Sequence, residues 1–209
     1  MVRIFILLAL LLAPLRPWAG VHGRVPNLRL RMGMNMLNFT VGDTFKNQAL
    51  GEVMCLNPTV LWSFPSFRAQ MGLHYMADFG SKFGTTPISG IGLASYFYPF
   101  GLSTAYEVGQ DDTLIQKSKP GPHVFAMVTP VNFNINAGAD QSPTKAPVSF
   151  SSFMIETALG AGYDYPATPN RIFSLEIQYR FAQAQEKNTK TTIAYSGLGA
   201  MLVFATSYH

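Results

Sequence analysis

From residue 153 to 164 the odd positions read Phe153, Ile155, Thr157, Leu159, Ala161 and Tyr163, while Met154, Glu156, Ala158, Gly160, Gly162 and Asp164 fall between them. After Tyr165-Pro166-Ala167-Thr168-Pro169-Asn170 the alternation resumes, with Phe173, Leu175, Ile177, Tyr179 and Phe181 set against Ser174, Glu176, Gln178 and Arg180. A period of two held over this length predicts two antiparallel strands with one apolar face. Working outward from this hairpin, the same pattern predicts six more strands.

The first covers residues 27–41, where Leu28, Leu30, Met32, Met34 and Met36 alternate with Arg29, Arg31, Gly33 and Asn35. At Met36-Leu37 the phase slips by one toward Phe39 and Val41, which predicts a β-bulge. Residues 42–64 break the pattern with Gly42, Asp43, Asn57 and Pro58 and read as a long connection carrying its own apolar set. Residues 67–77 form the second strand, with Arg68, Gln70, Gly72 and His74 on its polar row, and 88–98 form the third. A reversal at Pro99-Phe100-Gly101 leads into a fourth over 102–116, and Lys119 to Pro122 turns the chain again. The fifth, residues 123–136, carries Phe125, Met127, Thr129, Val131, Phe133 and Ile135 on one face and Pro130 in its middle, where a ladder irregularity is expected. Residues 191–208 close the set with Leu198, Ala200, Leu202, Phe204, Thr206 and Tyr208 in one row. The total is eight antiparallel strands; a hairpin formed by residues 50–64 would raise it to ten.

Composition decides what the apolar faces meet. Charged residues make up 12% of the chain, about half the usual share of a soluble domain. No run of about 18 apolar residues follows the N-terminus, so helical spans are excluded. Arg3, the apolar run 4–13 and the small residues near 19–23 predict a cleaved signal peptide over residues 1–23 and a barrel over 24–209. That leader carries two arginines and no acid, so its removal lowers the formal charge from +4 to +2. No nucleic-acid partner is implied. Cys55 is the sole cysteine and has no disulfide partner within the chain.

A soluble barrel would turn its apolar face inward and dress its outer face in Lys, Glu and Thr. Here the polar face is Gly33, Gly72, Gly160, Gly162, Gly197 and Gly199, with isolated Arg, Glu, Gln and His. Small residues with sparse charges suit a crowded lumen, and an apolar face with Tyr near strand ends suits lipid. The expected fold is therefore an all-β, up-and-down transmembrane β-barrel.

The last sixty residues, with Gly160-Ala161-Gly162-Tyr163-Asp164-Tyr165, the run 173–181 and a final amphipathic strand, resemble the closing hairpins of small bacterial outer-membrane barrels of the OmpA/OmpX-like class. Members of that class end on an aromatic; here Tyr208 is penultimate and His209 terminal. The resemblance implies a location in the Gram-negative outer membrane after export. It also implies contact with outer-membrane lipid and lipopolysaccharide, and handling by periplasmic chaperones and the barrel-assembly machinery.

No zinc, phosphate-loop, dinucleotide or thiol motif is present, so no cofactor, metal or catalytic group is assigned. His74 falls on a lumen-facing row and His123 follows a turn, so neither is placed to act on lipid A at the outer leaflet. A symmetric turn over 164–170 sets Glu156 opposite Gln178 with Arg180 a diagonal step away, and a loop over 183–190 sets Gly197 opposite Glu176. This predicts a structural charge network in the lumen, with Glu156 and Glu176 as acceptors and Arg180 plus one or more of Arg29, Arg31 and Arg68 as donors. Leu56, Leu61, Trp62 and Phe64 form a candidate interaction patch on the long connection. The expected function is a non-enzymatic barrel that anchors extracellular loops and supports membrane integrity or surface interaction. A narrow, porin-like channel is the alternative, and a lipid-A-modifying enzyme a more distant one.

Overall fold

The computed structural model describes residues 26–41, 45–79, 88–108, 114–137, 148–168, 171–185 and 192–207. The expected leader lies outside them. Ten strands form: β1 Asn27–Val41, β2 Phe45–Phe64, β3 Ala69–Phe79, β4 Ser89–Phe97, β5 Thr104–Val108, β6 Leu114–Ser118, β7 Gly121–Ala137, β8 Val148–Thr168, β9 Arg171–Gln185 and β10 Thr192–Ser207. Eight of them close a barrel in the order β1-β10-β9-β8-β7-β4-β3-β2, and β5 and β6 pair separately as a hairpin. Every pairing is antiparallel, and β1 closes on β10 from Asn27↔Ser207 to Val41↔Ile193. No described helix is long and apolar enough to cross a membrane.

Eight strands form the wall, but not the eight that alternation suggests. Residues 45–64 are β2, so the long connection is wall and Leu56, Leu61, Trp62 and Phe64 are not a loop patch. Leu61 points into the barrel and is fully buried; Leu56, Trp62 and Phe64 lie on the half-buried outer row. The segment hides its period because both faces carry apolar side chains and Pro58 resembles a break. Pro58 has no N–H to donate, and the β2–β3 ladder skips from Leu56↔Ala77 to Thr59↔His74 without losing register. Conversely, the described residues of 102–116 are not part of a wall strand: 104–108 and 114–116 belong to the separate β5–β6 pair. Exchanging these two segments reverses the direction of the second and third expected strands.

Two further details differ from the alternation pattern. Leu37 does not slip outward; it is 1% exposed inside the barrel, and the irregularity at Leu37/Asn38 arises because β2 skips from Gly51 to Ala49. On β7 the apolar row Phe125, Met127 and Val131 faces inward, with Val124 and Val128 outside. Pro130 leaves the β7–β8 ladder continuous and interrupts the ladder toward β4, between Gly90↔Val131 and Leu93↔Val128.

The outer surface is apolar. Met34, Leu93, Leu159, Leu175, Ile177, Leu198 and Leu202 are exposed around the middle of the wall. Phe97, Tyr165, Phe173 and Phe204 are exposed near the end that holds both termini, and Phe79, Phe153 and Phe181 near the other. An apolar band bordered by two aromatic rings is the surface of a strand-built membrane span.

Candidate functional site

The polar residues of this chain face inward because a wall bathed in lipid leaves the lumen as their only hydrated or paired environment. Two clusters occupy it. In the first, Arg29 of β1 grips Asp164 of β8 with Nη2–Oδ2 at 2.9 Å and Nη1–Oδ1 at 3.3 Å. Arg31, one inward step along β1, donates from Nε to Glu176 Oε2 on β9 at 2.7 Å and from Nη2 to Gln178 Oε1 at 3.0 Å. His123 of β7 lies between the two acids, with Nε2 3.1 Å from Glu176 and Nδ1 3.2 Å from Asp164. The Arg31 guanidinium also covers the Phe125 ring at 4.6 Å.

In the second cluster Arg180 of β9 uses its whole fork. Nε and Nη2 reach Glu156 at 2.9 and 2.6 Å, while Nη1 and Nη2 reach Asp78 at 3.1 and 2.7 Å. Tyr195 donates its hydroxyl to Glu156 as well. A planar guanidinium can hold two carboxylates in this way; an ammonium could not. All seven charged side chains, Arg29, Arg31, Arg180, Asp78, Asp164, Glu156 and Glu176, are at most 1% exposed.

Glycine makes the room. A Cβ on Gly162 would lie 2.6 Å from both Glu176 Cγ and His123 Nε2, so the glycine opposite Glu176 lets these two side chains meet.

The base of the lumen is sealed by the connection after β4. Tyr98, Leu102 and Ser103 are buried there; Tyr98 bonds Gln70 and Arg29, and Ser103 donates to Asp164. Leu61, Tyr96, Phe125 and Met127 pack against this plug. Toward the opposite end Leu37, Val53, Met76, Val131, Met154 and Ile193 form an apolar layer.

The structure brings Arg29, Arg31, Arg180, Glu156 and Glu176 into the lumen, but Arg68 is exposed in a turn outside it. Arg68 is the residue after the short 3-10 turn Pro65–Phe67, so it never joins β3. The register also differs. Glu156 pairs with Ala182, four residues beyond Gln178, because β8 continues through the Tyr165-Pro166 segment to Thr168, and Glu176 pairs with Gly162 and with Met201, four residues beyond Gly197, because β9 runs on to Gln185 and β10 starts at Thr192. An even shift keeps every residue on its face. Asp164 and Asp78 were hidden because both adjoin turn-rich stretches, although Asp164 falls on the polar row of its strand. His74, also inside, bonds Asn57 and Thr129 and joins neither acid pair. Among the described residues no group of three or more His, Cys, Asp or Glu is arranged to hold a metal.

No family model matches the chain, and no curated protein is similar to it in sequence. Among solved structures, Neisserial surface protein A aligns over 88% of this chain and 97% of its own at 14% identity, with a TM-score of 0.51. The fold is that of the small outer-membrane β-barrels. The outer membrane protein OprG from Pseudomonas aeruginosa aligns over 89% of this chain and 97% of its own at 15% identity, TM-score 0.44. The N-terminal barrel domain of Pseudomonas aeruginosa OprF aligns over 85% and 96% at 14% identity, TM-score 0.41.

Proposed function

We propose that this protein is an integral outer-membrane barrel, exported through its N-terminal leader, that holds surface loops and reinforces the membrane without turnover and without conducting solute. The observation that carries this reading is the filled lumen: a sealed base, two paired charge clusters and an apolar layer succeed one another along its length. An aqueous channel would need charged side chains to line the wall with solvent between them. Here each of the three lumen arginines is bonded to acids on other strands, and each of the four lumen acids is held by an arginine. The likeness of fold and the two aromatic rings support the membrane location. Enzymatic action on lipid A would need a catalytic group on the lipid-facing wall, and both described histidines, His74 and His123, point inward instead.

Planar-bilayer recording of the refolded chain tests the reading. The expected record is flat, without unitary steps. Stable, repeated steps of one size would favour the narrow channel, and a change in lipid A mass on expression would favour the enzyme.

A further inference from the structure

The aqueous edge at the terminal end carries a feature that a plain anchor does not require. Exposed ionisable side chains of the Asp, Glu, Lys and Arg type are few among the described residues: Glu52, Arg68, Lys119 and Arg171. The three cations all lie at the end that holds the termini, in or beside the turns that follow the aromatic ring. Two of them are anchored to adjacent residues of one turn. Arg68 donates from Nη1 to the carbonyl of Pro99 at 2.9 Å, and Lys119 donates from Nζ to the carbonyl of Phe100, the next residue, at 3.3 Å. Neither has a carboxylate partner among the described residues.

The backbone is shaped to hold this pair. Arg68 takes a left-handed conformation, φ 50°, and the Arg68 carbonyl accepts from the Tyr98 amide, which ties the two turns together. Gly101 sits at φ 94°, and a Cβ there would come within 3.1 Å of the Lys119 ammonium. Two cations fixed on one rim without a carboxylate partner make a positive field there that favours an anion. Phe67 and Phe100, next in sequence to Arg68 and Pro99, are 73% and 76% exposed, the most exposed large apolar side chains among the described residues. A cation pair just beyond an aromatic ring is at headgroup depth, where phosphate is the available anion.

The geometry points to a binding site for one anionic phospholipid, its phosphate held by Arg68 and Lys119 and its acyl chains lying along Phe67 and Phe100. The site rests on the membrane-spanning reading and adds a lipid class and a leaflet to it: the glycerophospholipid leaflet on the side of the termini.

Native mass spectrometry of the full folded chain in detergent tests it, with phosphatidylglycerol, phosphatidylcholine or inorganic phosphate added. The expected result is a one-to-one phosphatidylglycerol adduct that exceeds the phosphatidylcholine adduct. It should weaken roughly fivefold in Arg68→Asn and again in Lys119→Gln, stay unchanged in Arg171→Gln, and survive inorganic phosphate. Asn is chosen at 68 because it tolerates the left-handed backbone. Equal binding of both lipids, equal loss in Arg171→Gln, no loss in either site variant, or displacement by free phosphate overturns the site. Folding is scored separately by boiling-dependent gel migration. If wild-type protein migrates as folded yet binds no lipid, the site alone fails; if it never does so, the barrel reading beneath it fails too.

Discussion

The decisive residue of the interior is Arg180. Its fork joins β9 to Glu156 on the neighbouring strand and to Asp78 across the lumen, so a single side chain ties distant parts of the wall. Removing it leaves the carboxylates of Asp78 and Glu156, each 1% exposed, without that counter-charge. Breaking a buried pair from one side costs about 3–5 kcal/mol. Arg180→Met is therefore expected to lower the unfolding free energy of the detergent-folded protein, read from its urea transition, by that amount, while Arg171→Met, exposed at a strand start, changes it by less than about 1 kcal/mol. Equal effects of the two substitutions in equilibrium unfolding would show that the Arg180 network does not stabilise the fold. The network also explains why arginine rather than lysine occupies these positions, since Arg29 and Arg31 likewise use two donors each on partners across the barrel.

At the scale of elements, β2 shows how a strand can be hidden. Its inward row holds Val53, Cys55 and Leu61 beside Asn57, Thr59 and Ser63, and its outward row Met54, Leu56, Val60, Trp62 and Phe64. Neither row is polar throughout, so no simple alternation survives. Only Trp18 and Trp62 are tryptophans, and Trp18 lies in the expected leader, so Trp62 is the single fluorophore of its kind in the chain without residues 1–23. Folded into bilayers of brominated phospholipid, it is expected to be strongly quenched, most by bromines nearest the headgroups. Emission as bright as in unbrominated bilayers would return residues 45–64 to a loop. Where one face was largely apolar, as on β8, β9 and β10, strand position, face and the interior placing of Glu156, Glu176 and Arg180 were legible in the sequence. The pairing partners were not: β8 runs on past Tyr165-Pro166, and Asp78 and Asp164 sit next to stretches whose Gly, Pro and Asn content reads as turn. The inward apolar row of β7 was equally opaque, because periodicity reports that one face is greasy and not whether lipid or a packed lumen covers it.

For the whole molecule, the central claim is closure: the first strand completes the wall by pairing with the last. Closure removes the exposed edges that an open sheet would present inside a membrane, where an unpaired N–H or C=O costs several kcal/mol. It also sets the lumen, since Arg29 and Arg31 reach Asp164 and Glu176 only when β1 lies against β10. The seam is long and unbroken, from Asn27↔Ser207 to Val41↔Ile193, and Met34 stands directly opposite Ala200 on its outer face. Opposed residues in an antiparallel pair have Cβ atoms about 4.5–5.5 Å apart, close enough for a disulfide to form with slight adjustment. The most direct measurement is therefore oxidation of Met34→Cys/Ala200→Cys in a Cys55→Ala background, folded in detergent. Near-complete intramolecular cross-linking that requires the folded state, and is lost when the second cysteine is moved from 200 to 206, is the predicted result. A folded, β-rich protein that fails to cross-link at 34 and 200, or cross-links as well at 34 and 206, would contradict a closed barrel with this seam.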